Sequence, residues 1–172
     1  MSLLARVCGL LEAAQVPHAL VGAAALAARG VARSTYDIDV LTVEARVLAS
    51  GLWDGLRAEG VAVDILRGDL DDPLGGVIRV TDAGERPIDV IVGKGRWQAR
   101  AIERAERPAD GPPVVAARDL VLLKLYAGGT QDVWDVRALL ELAERDELVA
   151  QVDEDVAELS AEMRARWAAI RP

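Results

Sequence analysis

The sequence contains no phenylalanine, one cysteine and one histidine. Each scarcity excludes something. Cys8 alone cannot close an internal disulfide, and a lone thiol fits a reducing, cytoplasmic setting. It lies on the apolar stripe of the first helical segment and is expected in the core. His18 has no companion for metal or acid–base work and is expected to be a plain strand-entry residue. Without phenylalanine the core has to be built from alanine, leucine and valine, with the four tryptophans as its bulkiest members. No apolar run suits a membrane span, so no membrane partner is expected. Arg6 and Glu12 interrupt the first apolar stretch, where a secretion signal would need continuity. There is no internal repeat and no low-complexity tract.

What is present is a chain of 172 residues, 52% of them apolar, enough for one well-buried core and unsuited to wholesale disorder. A single domain over residues 1–172 is expected, with a sheet-rich core at 1–107 and C-terminal helices at 114–172 packed on it. The segment 108–113 is the connection, too short to separate independent domains. The net charge is −8, with acidic residues dense from Glu141 onward. That argues against a broad nucleic-acid-binding surface, while leaving room for a local basic cleft.

One stretch organises the rest. Apolar residues 18–21 predict a buried strand that ends on Gly22, and small residues then run as a helix to a C-cap glycine, Gly30. After a short polar connection comes Arg33-Ser34-Thr35-Tyr36-Asp37-Ile38-Asp39-Val40-Leu41. In a strand, Asp37 and Asp39 share one face about 7 Å apart along the chain, while Ile38 and Val40 face the core. Two like charges side by side are unfavourable unless a cation bridges them, so the pair asks for a metal. The turn at Gly22 aims free backbone N–H groups beyond the strand end, where an anion is favoured. A phosphate cradle beside paired carboxylates suits metal-assisted phosphoryl or nucleotidyl transfer.

Around this stretch, residues 2–15 predict an amphipathic helix, and 44–59 another, capped by Thr42 and ended by Gly60. Strands are expected at 61–66 and 77–80. The acidic segment 68–73 between them lacks calcium-loop spacing and is expected to be a solvated turn. A hairpin turn at 82–85 leads to Pro87-Ile88-Asp89-Val90-Ile91-Val92. Asp89 stands among β-branched residues, where an unpartnered carboxylate is costly. If its strand lies beside the first aspartate strand, Asp89 supplies a third carboxylate; otherwise it is an edge aspartate, as Asp64 is expected to be. The loop 93–96 is basic but lacks P-loop spacing. Residues 97–107 predict a helix.

A further helix begins near Arg118, apolar nearly all round except for Lys124, which needs an acidic partner or an anionic ligand. The next helix, with Thr130 as its expected cap, presents Asp132 and Asp135 on one face. The last helices should turn Leu139, Leu140, Leu148, Val152, Val156 and Leu159 inward.

Five pieces in order, Gly22, the Arg33–Asp39 segment, Asp89, Lys124-Leu125-Tyr126-Ala127 and Asp132-Val133-Trp134-Asp135, resemble the nucleotidyltransferases of the DNA polymerase beta superfamily. Within it the likeness is to small bacterial toxin nucleotidyltransferases of the AbiEii/AbiGii type. The resemblance implies an α/β (α+β) fold with a mixed, twisted sheet and a C-terminal helical part. It implies transfer of a nucleoside monophosphate from an NTP to RNA (tRNA included), a protein or a small molecule, and pairing with an antitoxin. Mg2+ or Mn2+ would be held by Asp37, Asp39 and Asp89, with Asp89 also assisting deprotonation of the acceptor. Gly22, Ala23, Arg33, Thr35 and Lys124 would contact the nucleotide, and Asp132 and Asp135 would support Lys124. The bland alternative for Lys124 is a structural ion pair with one of those aspartates. Many relatives carry Ser or Gly where Ala23 stands, so a hydroxyl contact to phosphate is missing. A degenerate member that binds nucleotide or a partner without turnover, and an unrelated domain whose carboxylates hold a structural cation, are the competing readings.

Overall fold

In a computed structural model that describes residues 1–142 and 144–172, the chain divides into two compact units. The first comprises Met1–Ala24 and Ser34–Val115, the second Ala25–Arg33 and Ala116–Pro172.

The first unit begins with α1 (Leu3–Ala13), whose N-cap Ser2 accepts a hydrogen bond from the Ala5 amide at 3.3 Å. Leu3, Val7, Cys8 and Leu11, at helical spacing, are buried, and α1 packs on β5 (Ile88–Gly93). Strand β1 is only Ala19–Leu20, and α2 (Gly22–Ala28) follows after Val21 and runs on into the second unit. Then come β2 (Ile38–Thr42), α3 (Asp54–Ala58), β3 (Ala62–Arg67), β4 (Leu74–Thr81), β5 and α4 (Arg96–Glu103). The strands form one sheet in the order β1-β2-β5-β4-β3, with β2 and β5 parallel and the other pairs antiparallel. The period of two sorts the sheet faces. Ile78, Val80, Ile88 and Val90 are buried, and the intervening Arg79 and Asp89 point the other way.

The single helix expected over 44–59 is broken. Ala45–Leu48 and Ser50–Trp53 form separate 3-10 turns around an extended Ala49, and only α3 is α-helical. Ser50, Gly51 and Gly55 weaken helix propagation. The fully buried Trp53 instead ties the two turns together, its indole N–H donating to the Val47 carbonyl at 2.7 Å. Thr42 is not a helix cap: Glu44 takes the N-cap position of the first turn, and the Thr42 hydroxyl accepts from the Glu44 amide at 3.2 Å while donating to the Pro17 carbonyl at 2.8 Å. The acidic segment 68–73 is a self-bonded turn. The Asp69 carboxylate accepts from the Asp71 and Asp72 amides, and the Lys94 ammonium donates to the Asp69 and Asp72 carbonyls.

The second unit consists of the rest of α2 with its exit to Arg33, followed by α5 (Ala117–Ala127), α6 (Thr130–Leu140), α7 (Arg145–Val156) and α8 (Ala161–Ile170). Its core is Leu120, Val121, Leu125, Val136, Leu139, Val152 and Trp167. Leu148 and Leu159, expected inward, are half-buried. Gly128 ends α5 in the left-handed region at φ 69°. The Arg166 guanidinium fills the space a side chain would need there and donates to the Leu125 and Tyr126 carbonyls at 2.6 and 3.0 Å. Thr130 is not the cap of α6. Gly129 takes that place, and Asp132 reaches back to accept its amide at 2.9 Å. No helix among the described residues is long and apolar enough to cross a membrane.

Candidate active site

The parallel pairing of β2 with β5 puts Asp39 directly opposite Asp89. Continued across the sheet, the register pairs Asp89 with Arg79 and Arg79 with Asp64. One row over four strands therefore reads Asp39, Asp89, Arg79, Asp64. Asp37, immediately before β2, joins the row from two residues away, on the same face as Asp39. The Thr35 hydroxyl donates to Asp37 Oδ1 at 3.0 Å and fixes its rotamer. Asp64, on the edge strand β3, is exposed, as its sequence context suggested.

Gly22 adjoins this row. Its backbone is left-handed, at φ 59°, and an added Cβ would lie 2.0 Å from Asp39 Oδ2. Only glycine meets both demands, the backbone region and the close approach of the carboxylate. The beginning of α2 is thus pressed against Asp39, with the nearly buried Ala23 next in line.

Asp89 is the strained member. Its side chain is 15% exposed, and its Oδ1 is buried with no hydrogen-bond partner. Burial pushes its carboxyl above the usual carboxylate range; Arg79 opposes this, and the Asp37 charge adds to it. The Arg79 guanidinium lies 3.4 Å from Asp89 Oδ2 and 3.6 Å from Asp37 Oδ2. Among the described residues no group of three or more His, Cys, Asp or Glu side chains is gathered closely enough to hold a metal ion as it stands. Arg79 is a cation that reaches two of the three expected ligands, Asp37 and Asp89. The donor set nevertheless fits a hard divalent ion: carboxylate oxygens on adjacent strands, one of them orphaned, beside a glycine that leaves room.

The remaining expected site residues lie in the second unit. Lys124 donates to Asp132 Oδ1 at 2.9 Å and stands 2.7 Å from Asp135 Oδ2. Asp135, 3% exposed, also accepts from Arg33 and, at 3.2 Å, from Gln131. Two cations and two carboxylates balance there, and Asp132 uses its other oxygen to cap α6.

Arg79 was not among the residues expected at the site. Its signal was available, since a charge between Ile78 and Val80 in an apolar run is the pattern that singled out Asp89 and Lys124.

By sequence the chain matches no protein family model and no curated protein. Its structure is similar to that of the antibiotic-resistance factor ANT(2″)-Ia in solution, with TM-score 0.54 and 14% identity over 96% of this chain and 91% of that one. ANT(2″)-Ia in complex with adenylyl-2″-tobramycin gives a TM-score of 0.57 at 17% identity, over 94% of each chain. An antigenic nucleotidyltransferase-like protein from Paracoccidioides brasiliensis gives 0.50 at 14% identity, over 94% of this chain and 90% of that one. The mixed α/β architecture is a nucleotidyltransferase fold.

Proposed function

We propose that the chain is a metal-dependent nucleotidyltransferase that moves a nucleoside monophosphate from an NTP to an acceptor. The observation that carries this reading is the row in which Asp39 and Asp89 stand in register on parallel strands, with Asp37 beside them and Gly22 against Asp39. Like charges gathered on one face cost stability unless they serve a cation. Asp37, Asp39 and Asp89 would hold Mg2+ or Mn2+, which when bound neutralises phosphate charge and makes an acceptor oxygen more nucleophilic.

The chain's own residues supply the rest. The amides following Gly22 face the nucleotide phosphates, and Ala23 lines that turn without a hydroxyl of its own. Thr35 keeps Asp37 aimed by the hydrogen bond it donates. Asp89, by the resemblance, would also assist removal of the acceptor's proton. Lys124 and Arg33 enter as charge partners of Asp132 and Asp135, so a direct role for either in holding phosphate requires those pairs to open.

Two acceptors are proposed. RNA is the acceptor of a toxin-type enzyme held in check by an antitoxin in a reducing cytoplasm. A small hydroxylated, cationic molecule is the second. It is favoured by the charge of −8, which repels a polyanion and attracts a cation, and by the near end-to-end match with a protein whose structure holds adenylyl-2″-tobramycin. The test is to incubate the protein with each labelled NTP, Mg2+ and either total cellular RNA or an aminoglycoside panel. Label transferred to either acceptor supports the reading and selects between them. Nucleotide bound by the wild type with no transfer to any acceptor identifies a fold that has kept its cradle and lost turnover, for which Ala23 is the sequence mark.

A further inference from the structure

We propose that Arg79 is a positioning residue: a resident counter-ion for Asp37 and Asp89 that a divalent metal has to displace, with Asp64 as the carboxylate to which its guanidinium then turns. The inference rests on the reading of Asp37, Asp39 and Asp89 as metal ligands and deepens it.

Three observations carry it. Arg79 faces the acidic row from β4, and its two terminal nitrogens reach different carboxylates, Asp89 at 3.4 Å and Asp37 at 3.6 Å. A guanidinium and a divalent ion cannot both occupy that side of the two carboxylates. The contacts are long for charge-assisted hydrogen bonds, and the side chain is 42% exposed, so the guanidinium is held by charge rather than locked by packing. Finally, the register gives Arg79 a second acidic neighbour on its other side, Asp64, exposed on the edge strand. A cross-strand pair of opposite charge is favourable, so the side chain has somewhere to go.

The consequence is a metal site in which Asp37 and Asp89 are partly compensated before metal arrives, at the expense of affinity. Removing the competing charge should tighten the site. In manganese titration calorimetry, Arg79→Met is expected to bind Mn2+ about tenfold more tightly than the wild type, since one charge-assisted contact no longer has to be broken. Arg79→Lys, which keeps the charge, should stay near the wild type. Without metal, Arg79→Met should melt below the wild type, and saturating Mn2+ should raise its melting temperature by more than it raises the wild type's. Should Arg79→Met fail to fold, Arg79→Gln carries the same expectation with a neutral side chain that still donates hydrogen bonds.

Unchanged or weaker Mn2+ binding by the neutral variants, with the wild type binding, overturns the counter-ion role and leaves the nucleotidyltransferase reading standing. Equal tightening in Arg79→Lys overturns it too, because the effect would then be steric. Absence of Mn2+ binding in the wild type and in every variant overturns both, and makes Arg79 a permanent partner of the carboxylates.

Discussion

The first unit and the second each contain a cluster of buried or half-buried charge, and the two are built on opposite principles. Around Lys124 every charge is answered: two cations, two carboxylates, short contacts, and the spare oxygen of Asp132 spent on the cap of α6. Around Asp89 the contacts are looser. Asp37 and Asp89 share Arg79 only at long range, and the buried Asp89 Oδ1 has no hydrogen-bond partner. A balanced cluster holds a fold together, because removing one member strands another. A looser one with an unpartnered buried oxygen carries a cost in stability that a bound ligand could offset. Under the proposed function, that difference would separate the structural cluster from the chemical one.

The largest effect that would break this comparison lies in the acidic row. Asp37→Asn together with Asp39→Asn should reduce nucleotidyl transfer by about a thousandfold or more, the scale of losing the groups that stabilise charge in the transition state. Mn2+ binding should vanish in calorimetry. Thermal stability without metal should hold or rise, because repulsion is relieved. A double variant that unfolds while Mn2+ affinity persists would show that the row is structural.

Lys124→Met is the matching change in the second unit, and there stability should suffer. Breaking a buried pair by removing one partner costs about 3 kcal/mol, although Asp135 keeps Arg33 and so retains part of its compensation. Denaturant unfolding and nucleotide affinity measured on one preparation decide the matter. If the variant melts like the wild type but loses nucleotide, Lys124 belongs to the chemistry and the contrast between the two clusters collapses.

These two clusters were unequally legible in the sequence. Asp37 and Asp39 could be placed on one face from the period of a strand alone, whereas the β-branched surroundings of Asp89 said only that it needs a partner, and the resemblance was what favoured a place beside the other two. Lys124 and its two aspartates were visible for the same reason, as polar residues in apolar or helical surroundings. Arg79 carries the same signal, but the two strands it lies between, β3 and β5, are joined to its own by pairings that no local pattern reveals. The loss of the helix over 44–59 had a different cause. The hydrophobic spacing was helical, but the glycines and the tertiary fit of Trp53 outweighed it. The allotment of Ala25–Arg33 to the second unit could not be foreseen at all, since it depends on which neighbours a short alanine-rich segment meets.

Gly22 and Ala23 offer a finer version of the same contrast at adjacent positions. Gly22→Ala is expected to destabilise the protein by about 2 kcal/mol from the left-handed backbone alone, and the new methyl would also drive the Asp39 carboxylate out of place. Chemical denaturation should show the loss, and Mn2+ affinity should fall with it. A variant of wild-type stability would mean that the turn is looser than its close approach to Asp39 implies.

Ala23→Ser is the smallest change and the most discriminating. Ala23 is only 6% exposed, so an added hydroxyl has few places to find a partner. If the turn cradles phosphate, the hydroxyl meets a phosphate oxygen in the nucleotide complex, and NTP affinity should rise by about 1 kcal/mol, the net worth of one hydrogen bond. Stability without nucleotide should then be almost unchanged, because a hydroxyl that faces the phosphate position meets water there when the nucleotide is absent. If the position faces only the protein interior, the hydroxyl is buried without gain: the melting temperature drops and nucleotide affinity stays where it was. Fluorescence titration with NTP and thermal unfolding on the same sample distinguish the outcomes. A drop in melting temperature with no gain in affinity would remove Ala23 from the site and assign this turn to the protein's core rather than to its ligand.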